Sequence, residues 1–161
     1  MAINSYLKIE GENQEWIKGE NTEANSSVKD WIRCFSSEEM MTVPTDSQSG
    51  RATGRKFHKP SVATLEATSS APKLFQAACT GEKCTITHQF FRVEGGIEHN
   101  FFTIKYVNAV IKSQEIHQLD TTNPETAEVP LLQKIEFVFD EVTQTFTEGN
   151  VEYTDKLNQD S

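Results

Sequence analysis

Apolar and polar residues alternate with a period of two along most of this chain, the signature of half-buried strands. Residues 2–9 predict an opening strand, with Ile3, Leu7 and Ile9 on one side. Val28 to Phe35 predicts a second, with Val28, Ile32 and Cys34 facing one way and Trp31 and Phe35 the other. Ser61 to Ala67 predicts a third. Further on, Cys84, Ile86, His88 and Phe90 alternate with Thr85, Thr87, Gln89 and Phe91, a β-branched and aromatic mixture typical of strands. Glu94-Gly95-Gly96 reads as a hairpin turn and Phe101 to Val107 as the returning strand. Asn108 permits a bend, after which Ala109 to Gln118 reads as another strand. Leu131 to Phe139 places Leu131, Ile135, Phe137 and Phe139 inward, with Lys134, Glu136 and Asp140 outward. Val142 to Phe146, a turn at Glu148-Gly149-Asn150, and Val151 to Tyr153 complete the pattern.

The period changes to that of a helix once, in SSAPKLFQAAC. Ser69 and Ser70 offer N-cap hydroxyls, Pro72 suits a first turn, and Gly81 suits the left-handed closing residue. Ala71, Leu74, Phe75 and Ala78 form the apolar stripe, so the spacing predicts a helix over about 70–80. Eight or nine short strands with two-sided alternation predict a mainly β fold. Its architecture is a small antiparallel barrel, closed or nearly so, with the one helix covering an opening or flanking a face. With neither an internal repeat nor a break in composition, residues 1–157 read as one domain, followed by a polar tail at 158–161 that frays.

Residues 10–27, 36–60 and 119–130 lack a sustained period and read as loops. The middle one is long for a compact domain, and loops of such length are usually functional or disordered. Gly50 and Gly54 let it leave the barrel, while Pro44 and Pro60 stiffen its ends. Charge singles out the same stretch. The chain carries 24 acids against 15 lysines and arginines, a net charge of −9. Acids crowd its two ends: Glu10, Glu12, Glu15, Glu20 and Glu23 in the first segment, Glu148, Glu152, Asp155 and Asp160 in the last. Between Ser47 and Leu65 there is no acid, but there are Arg51, Arg55, Lys56 and Lys59. Two readings follow, a solvated basic loop or a docking arm for an acidic partner such as another copy of the chain. The overall acidity argues against nucleic-acid binding.

No apolar run approaches a membrane span, and MAINSYLKIEGENQ lacks the basic and apolar regions of a signal peptide. Three cysteines, Cys34, Cys79 and Cys84, then read as free thiols of a protein folded in a reducing compartment. Candidate chemistry is sparse. Cys84 and His88 stand four apart on a strand, roughly 13 Å between Cα atoms, too far with Cys79 for one tetrahedral zinc. Gly50 to Lys56 misses the phosphate-loop spacing by one residue, and Phe57 replaces its Ser/Thr. His58 and His117 have no nucleophile in a recognisable setting, and Glu98-His99 reads as a surface pair. Asn25-Ser26-Ser27 matches a glycosylation pattern that matters only in a secretory context. The expectation is no enzyme activity, no cofactor and no metal.

A family resemblance rests on the long loop and the helix. The segment Val43-Pro44-Thr45-Asp46, then Ser49-Gly50, Thr53-Gly54-Arg55 and His58-Lys59-Pro60 resembles the long-loop motif of the Hcp (haemolysin-coregulated protein) family. The opening MAINSYLKIEG, the helix SSAPKLFQAACTGE, the hairpin HQFFRVEGGIEHNFFTIKYVNA and the ending EGNVEYTDKL are similar too. Residues 22–42 are more polar than in the family, and FDEVTQTFTEG lacks a tryptophan often found there. The resemblance implies a tube subunit of type VI secretion. Such subunits assemble in the cytoplasm as hexameric rings, stack, and are expelled by a contractile sheath without a signal peptide, with effectors in the lumen and a spike protein at the tip. It also implies that the long loop is a subunit interface. Two other classes stand beside it: a monomeric barrel that binds a small ligand in its interior, and a hydrolase with an unrecognised cleft.

Overall fold

The computed structural model describes residues 3–21 and 26–157; the polar tail and Asn25 of the glycosylation pattern lie outside them. The eleven strands among these residues are β1 (Asn4–Gly11), β2 (Glu15–Ile17), β3 (Ile32–Glu38), β4 (Met41–Thr42), β5 (Phe57–His58), β6 (Ser61–Glu66), β7 (Cys84–Glu94), β8 (Ile97–His117), β9 (Leu132–Val138), β10 (Glu141–Phe146) and β11 (Val151–Lys156), and the helix α1 spans Ser70–Thr80. All pairings are antiparallel. The order β8-β7-β1-β3-β6-β9, with β9 returning to pair β8, closes a six-stranded barrel. β10 and β11 continue from β8 as a two-stranded flap outside that ring.

Two expected strands prove to be one. β8 runs unbroken through Asn108, which takes φ 54°, a left-handed conformation that asparagine tolerates better than most residues. Before the bend β8 pairs β10 (Phe102↔Phe146 to Val107↔Glu141); beyond it the same edge pairs β9, from Val110↔Val138. The β7–β8 hairpin turns on Gly95 and Gly96, at φ 60° and 80°, as a two-residue turn with positive φ at both centres requires.

Leu7, Ile9, Ile32, Leu65, Ile86, Ile111, Ile135 and Phe137 fill the interior. Leu131 does not point inward as expected, since it precedes β9; the inward position is Gln133. That buried amide donates to Glu66 O at 3.0 Å and Ser70 Oγ at 3.2 Å and accepts from Gln114 Nε2 at 3.1 Å, which satisfies it. The same bonds hold the start of α1 over the barrel end where β6 stops and β7 begins.

The helix starts and stops where the sequence indicates, but its buried face is rotated from the expected one. Ser70, Leu74 and Ala77 are buried, whereas Phe75 is 60% exposed. The barrel end admits only the narrow stripe, and Phe75 lies on its outer flank. Ser69 makes no capping bond; Thr68 Oγ1 instead accepts from Ser70 N at 3.3 Å. Gly81, at φ 68°, closes the helix, its N–H donating to Ala77 O.

Two expected loops contain strands. In 10–27, β2 folds back on β1 (Ile9↔Ile17). Asp30, at φ 65°, ends the strand expected from Val28, so Val28 turns away from Ile32 and Cys34. It joins Trp31, Tyr6 and Phe91 in a second cluster on the outer wall, against which Trp16 packs. The 36–60 loop is a hairpin, described below.

The interior has one titratable imidazole, His88, 3% exposed and stacked on Phe90 with ring centroids 4.0 Å apart. Burial pushes it down to about 3. The folded ring stays neutral while the unfolded chain takes up a proton below about pH 6.5, so stability falls as pH drops from there towards 3. Chemical denaturation at pH 7 and pH 5 should show the native protein losing about 2 kcal/mol more than His88→Gln. All three thiols are free. Burial raises Cys34 and Cys84 to about 11, whereas Cys79 lies exposed on α1. A disulfide-exchange reagent should therefore titrate one thiol in native protein and three after denaturation, counted by intact mass.

A clasped hairpin as the candidate functional site

Residues 41–58 form a ribbon that leaves the barrel between β3 and β6. β4 and β5 make its base (Met41↔His58, Thr42↔Phe57), reinforced by Lys59 N donating to Met40 O at 2.9 Å. Farther out, Thr53 N donates to Pro44 O at 2.8 Å, and Thr45 bridges Ala52. Asp46 organises the tip. Its side chain accepts from Gln48 N at 3.1 Å and Ser49 Oγ at 2.9 Å, and its carbonyl accepts from Gly50 N at 2.8 Å. Those bonds, that from Gln48 N foremost, hold its carboxyl below the usual range. Gly50, at φ 69°, supplies the left-handed residue that turns the chain back to Arg51, whose carbonyl accepts from Asp46 N at 2.7 Å. The proline and glycine signals thus mark an ordered hairpin with its own backbone bonds.

A clasp fixes the base of this ribbon to the flap. Lys56 Nζ and His58 Nε2 both donate to the Asp155 carboxylate on β11, the latter at 2.7 Å. Burial works to raise the Asp155 carboxyl, but the bonds from Lys56 and His58 together with their charges outweigh it and hold it low. The His58 ring packs edge-on against Phe139 with centroids 5.5 Å apart. Glu39, at the end of β3, accepts from Gln144 Nε2 at 3.4 Å across the same seam. Burial raises its carboxyl above the usual value, against the charge of His58 and the Gln144 bond.

The predicted interface residues therefore divide. Lys56 and His58 find their acidic partner within the chain, which corrects the picture of a wholly outward-facing basic arm. Arg51, Arg55 and Lys59 remain exposed, as do Val43 and, at 47%, Phe57. Pro44 and Gly54 face each other across the ribbon, and Pro60 leads into β6. The sequence did not place Asp155 and Phe139, both distant along the chain, or the nearby Glu39 beside this hairpin. The only signal for Asp155 was an acid at the apolar-facing register of VEYTDK, opposite Val142.

Among the described residues no group of three or more His, Cys, Asp or Glu side chains is arranged to hold a metal. No helix among the described residues is long and apolar enough to cross a membrane.

A family profile described as "Type VI secretion system effector, Hcp" matches residues 6–146. The "Major exported protein" of Pseudomonas aeruginosa is 26% identical over 154 residues, covering 90% of each chain. A crystal structure of an Hcp protein superposes with a TM-score of 0.90 at 28% identity, covering 99% of this chain and 100% of the other. The Hcp1 protein of Escherichia coli EAEC 042 gives 0.83 at 25% identity over 97% and 99%. With its six-stranded barrel, capping helix and long hairpin, the chain belongs to the Hcp family of type VI secretion proteins.

Proposed function

We propose that this chain is a structural subunit of the type VI secretion tube. Six copies form a ring through contacts that include the 41–58 hairpin, rings stack in the cytoplasm, and a contractile sheath expels the tube with effectors in its lumen and a spike protein at its tip. The subunit acts by assembly rather than catalysis. The observation that carries this reading is the hairpin, ordered by its own turn and clasp yet projecting apolar and basic side chains beyond its own core.

The energetics favour apolar contact as the main contribution. Burying Phe57 and Val43 against a neighbour is worth about 1.5–3 kcal/mol each, whereas an exposed ion pair from Arg51, Arg55 or Lys59 contributes roughly 0–1 kcal/mol. Those cations set orientation. A chain of net charge −9 offers acidic surface to a basic tip, and the head-to-tail contact that results closes into a ring when its rotation divides the circle.

Replacing residues 47–55 with a short Gly/Ser linker should leave a cooperatively melting barrel that sediments as a monomer. The clasp residues Lys56 and His58 are kept in that variant because they pack on the flap. Rings that persist would remove the hairpin from the interface, and a variant that unfolds would make the tip part of the core. Asp155→Ala should lower stability by about 1–2 kcal/mol and raise the concentration at which rings form, both readable from melting curves and sedimentation velocity.

A further inference from the structure

The barrel is closed by α1 at one end; at the other a cavity of about 230 Å³ opens, lined among others by Leu7, Phe90, Ile104, Phe137 and Tyr106. Core filling stops short here, and a polar atom is left unused. His88 Nε2 and Ser61 Oγ lie on this cavity and are buried, the two residues being 3% and 2% exposed; Ser61 Oγ has the Tyr106 hydroxyl beside it, whereas His88 Nε2 has no hydrogen-bond partner among the described residues. An unpaired buried polar atom costs about 1–3 kcal/mol, so one facing an open space calls for a partner that enters it. Glu38 and Glu39 stand on the same lining. Glu39 is also shared with a second cavity of about 340 Å³ under the hairpin, where His58 Nδ1 is likewise unpartnered.

The charge of this lining is one-sided. A neutral imidazole, the hydroxyls of Ser37, Ser61 and Tyr106 and two carboxylates offer acceptors, the aromatic rings offer negative π faces, and no lysine or arginine takes part among the described residues. Burial keeps His88 unprotonated, so its Nε2 accepts whenever Nδ1 carries the hydrogen. Anions are excluded by Glu38 and Glu39, and a wholly apolar guest leaves the acceptors unpaired.

We infer that the open end of the barrel is a binding site for a primary alkylammonium group, its carbon chain against Phe90, Phe137 and Ile104 and its head shared between Glu39, Ser61 Oγ and His88 Nε2. The group is supplied either by a small free amine or by the lysine side chain of a peptide.

The test is a titration of the full chain at pH 7 with n-butylammonium, followed by backbone amide shifts and the His88 Nε2 nitrogen shift. Saturable shifts at Ser61, His88 and Tyr106 are expected, with none from butyrate, which has the same length and the opposite charge. Glu39→Gln should weaken binding about tenfold, and Ser61→Ala should weaken it too with Glu39 intact. Nα-acetyl-lysine methylamide separates the sources: saturable binding assigns a peptide lysine, and its absence beside butylammonium binding assigns a free amine. Shifts that never saturate, equal response to butyrate, an unchanged constant in both folded variants, or a soaked crystal with ordered water alone in the cavity would overturn the site.

Discussion

The bend at Asn108 is the constraint on which the rest of this fold depends. One edge of β8 has two successive partners, β10 up to Val107 and β9 from Val110, and a straight strand cannot serve both. Asn108 turns the strand at φ 54°, a conformation that costs most L-residues about 1–2 kcal/mol. The fork is tied by backbone bonds, from Asp140 N to Val107 O at 3.1 Å and from Leu157 N to Asp140 O at 2.8 Å. Beyond it β9 closes the barrel; before it β10 and β11 splay away as the flap. That flap carries Asp155 to the base of the hairpin, and Phe139, just ahead of the fork, supplies the ring on which His58 rests.

The two barrel ends are finished in different ways. At the helix end, Gln133, Gln114 and Ser70 satisfy one another while Leu74 and Ala77 complete the packing. At the open end, Leu7, Phe90, Ile104, Tyr106 and Phe137 leave a cavity onto which Ser61, Glu39 and an imidazole held neutral by burial also open. Gln133, Gln114 and Ser70 are structural by this criterion, since their bonds are internal. At the open end His88 Nε2 has no partner among the described residues, which separates a packed plug from an open mouth within one barrel.

Much of this was legible from the period of the sequence. Alternation located the long strands, and Pro72 and Gly81 bounded the helix, because these signals are local. What failed was set by distant contacts. Phe75 looked like core until the width of the barrel end left it outside, and Val28 looked continuous with β3 until Asp30 turned the chain. The hairpin announced itself by length, glycines and basic charge. Its clasp did not, because Lys56 and Asp155 lie 99 residues apart and meet only through the register of β10 with β11. A basic stretch without nearby acids reads as an outward arm; the fold shows that part of its charge is already spoken for.

On the function proposed above, that division gives the hairpin two roles, a base tied to its own flap and a tip left for a neighbour. Native mass spectrometry of the unmodified chain at micromolar concentration, across a salt series, addresses this most directly. A dominant species at six times the 18.2 kDa of one chain is expected, weakening as salt screens the basic tip. A strictly monomeric 18.2 kDa species at every salt concentration would contradict it.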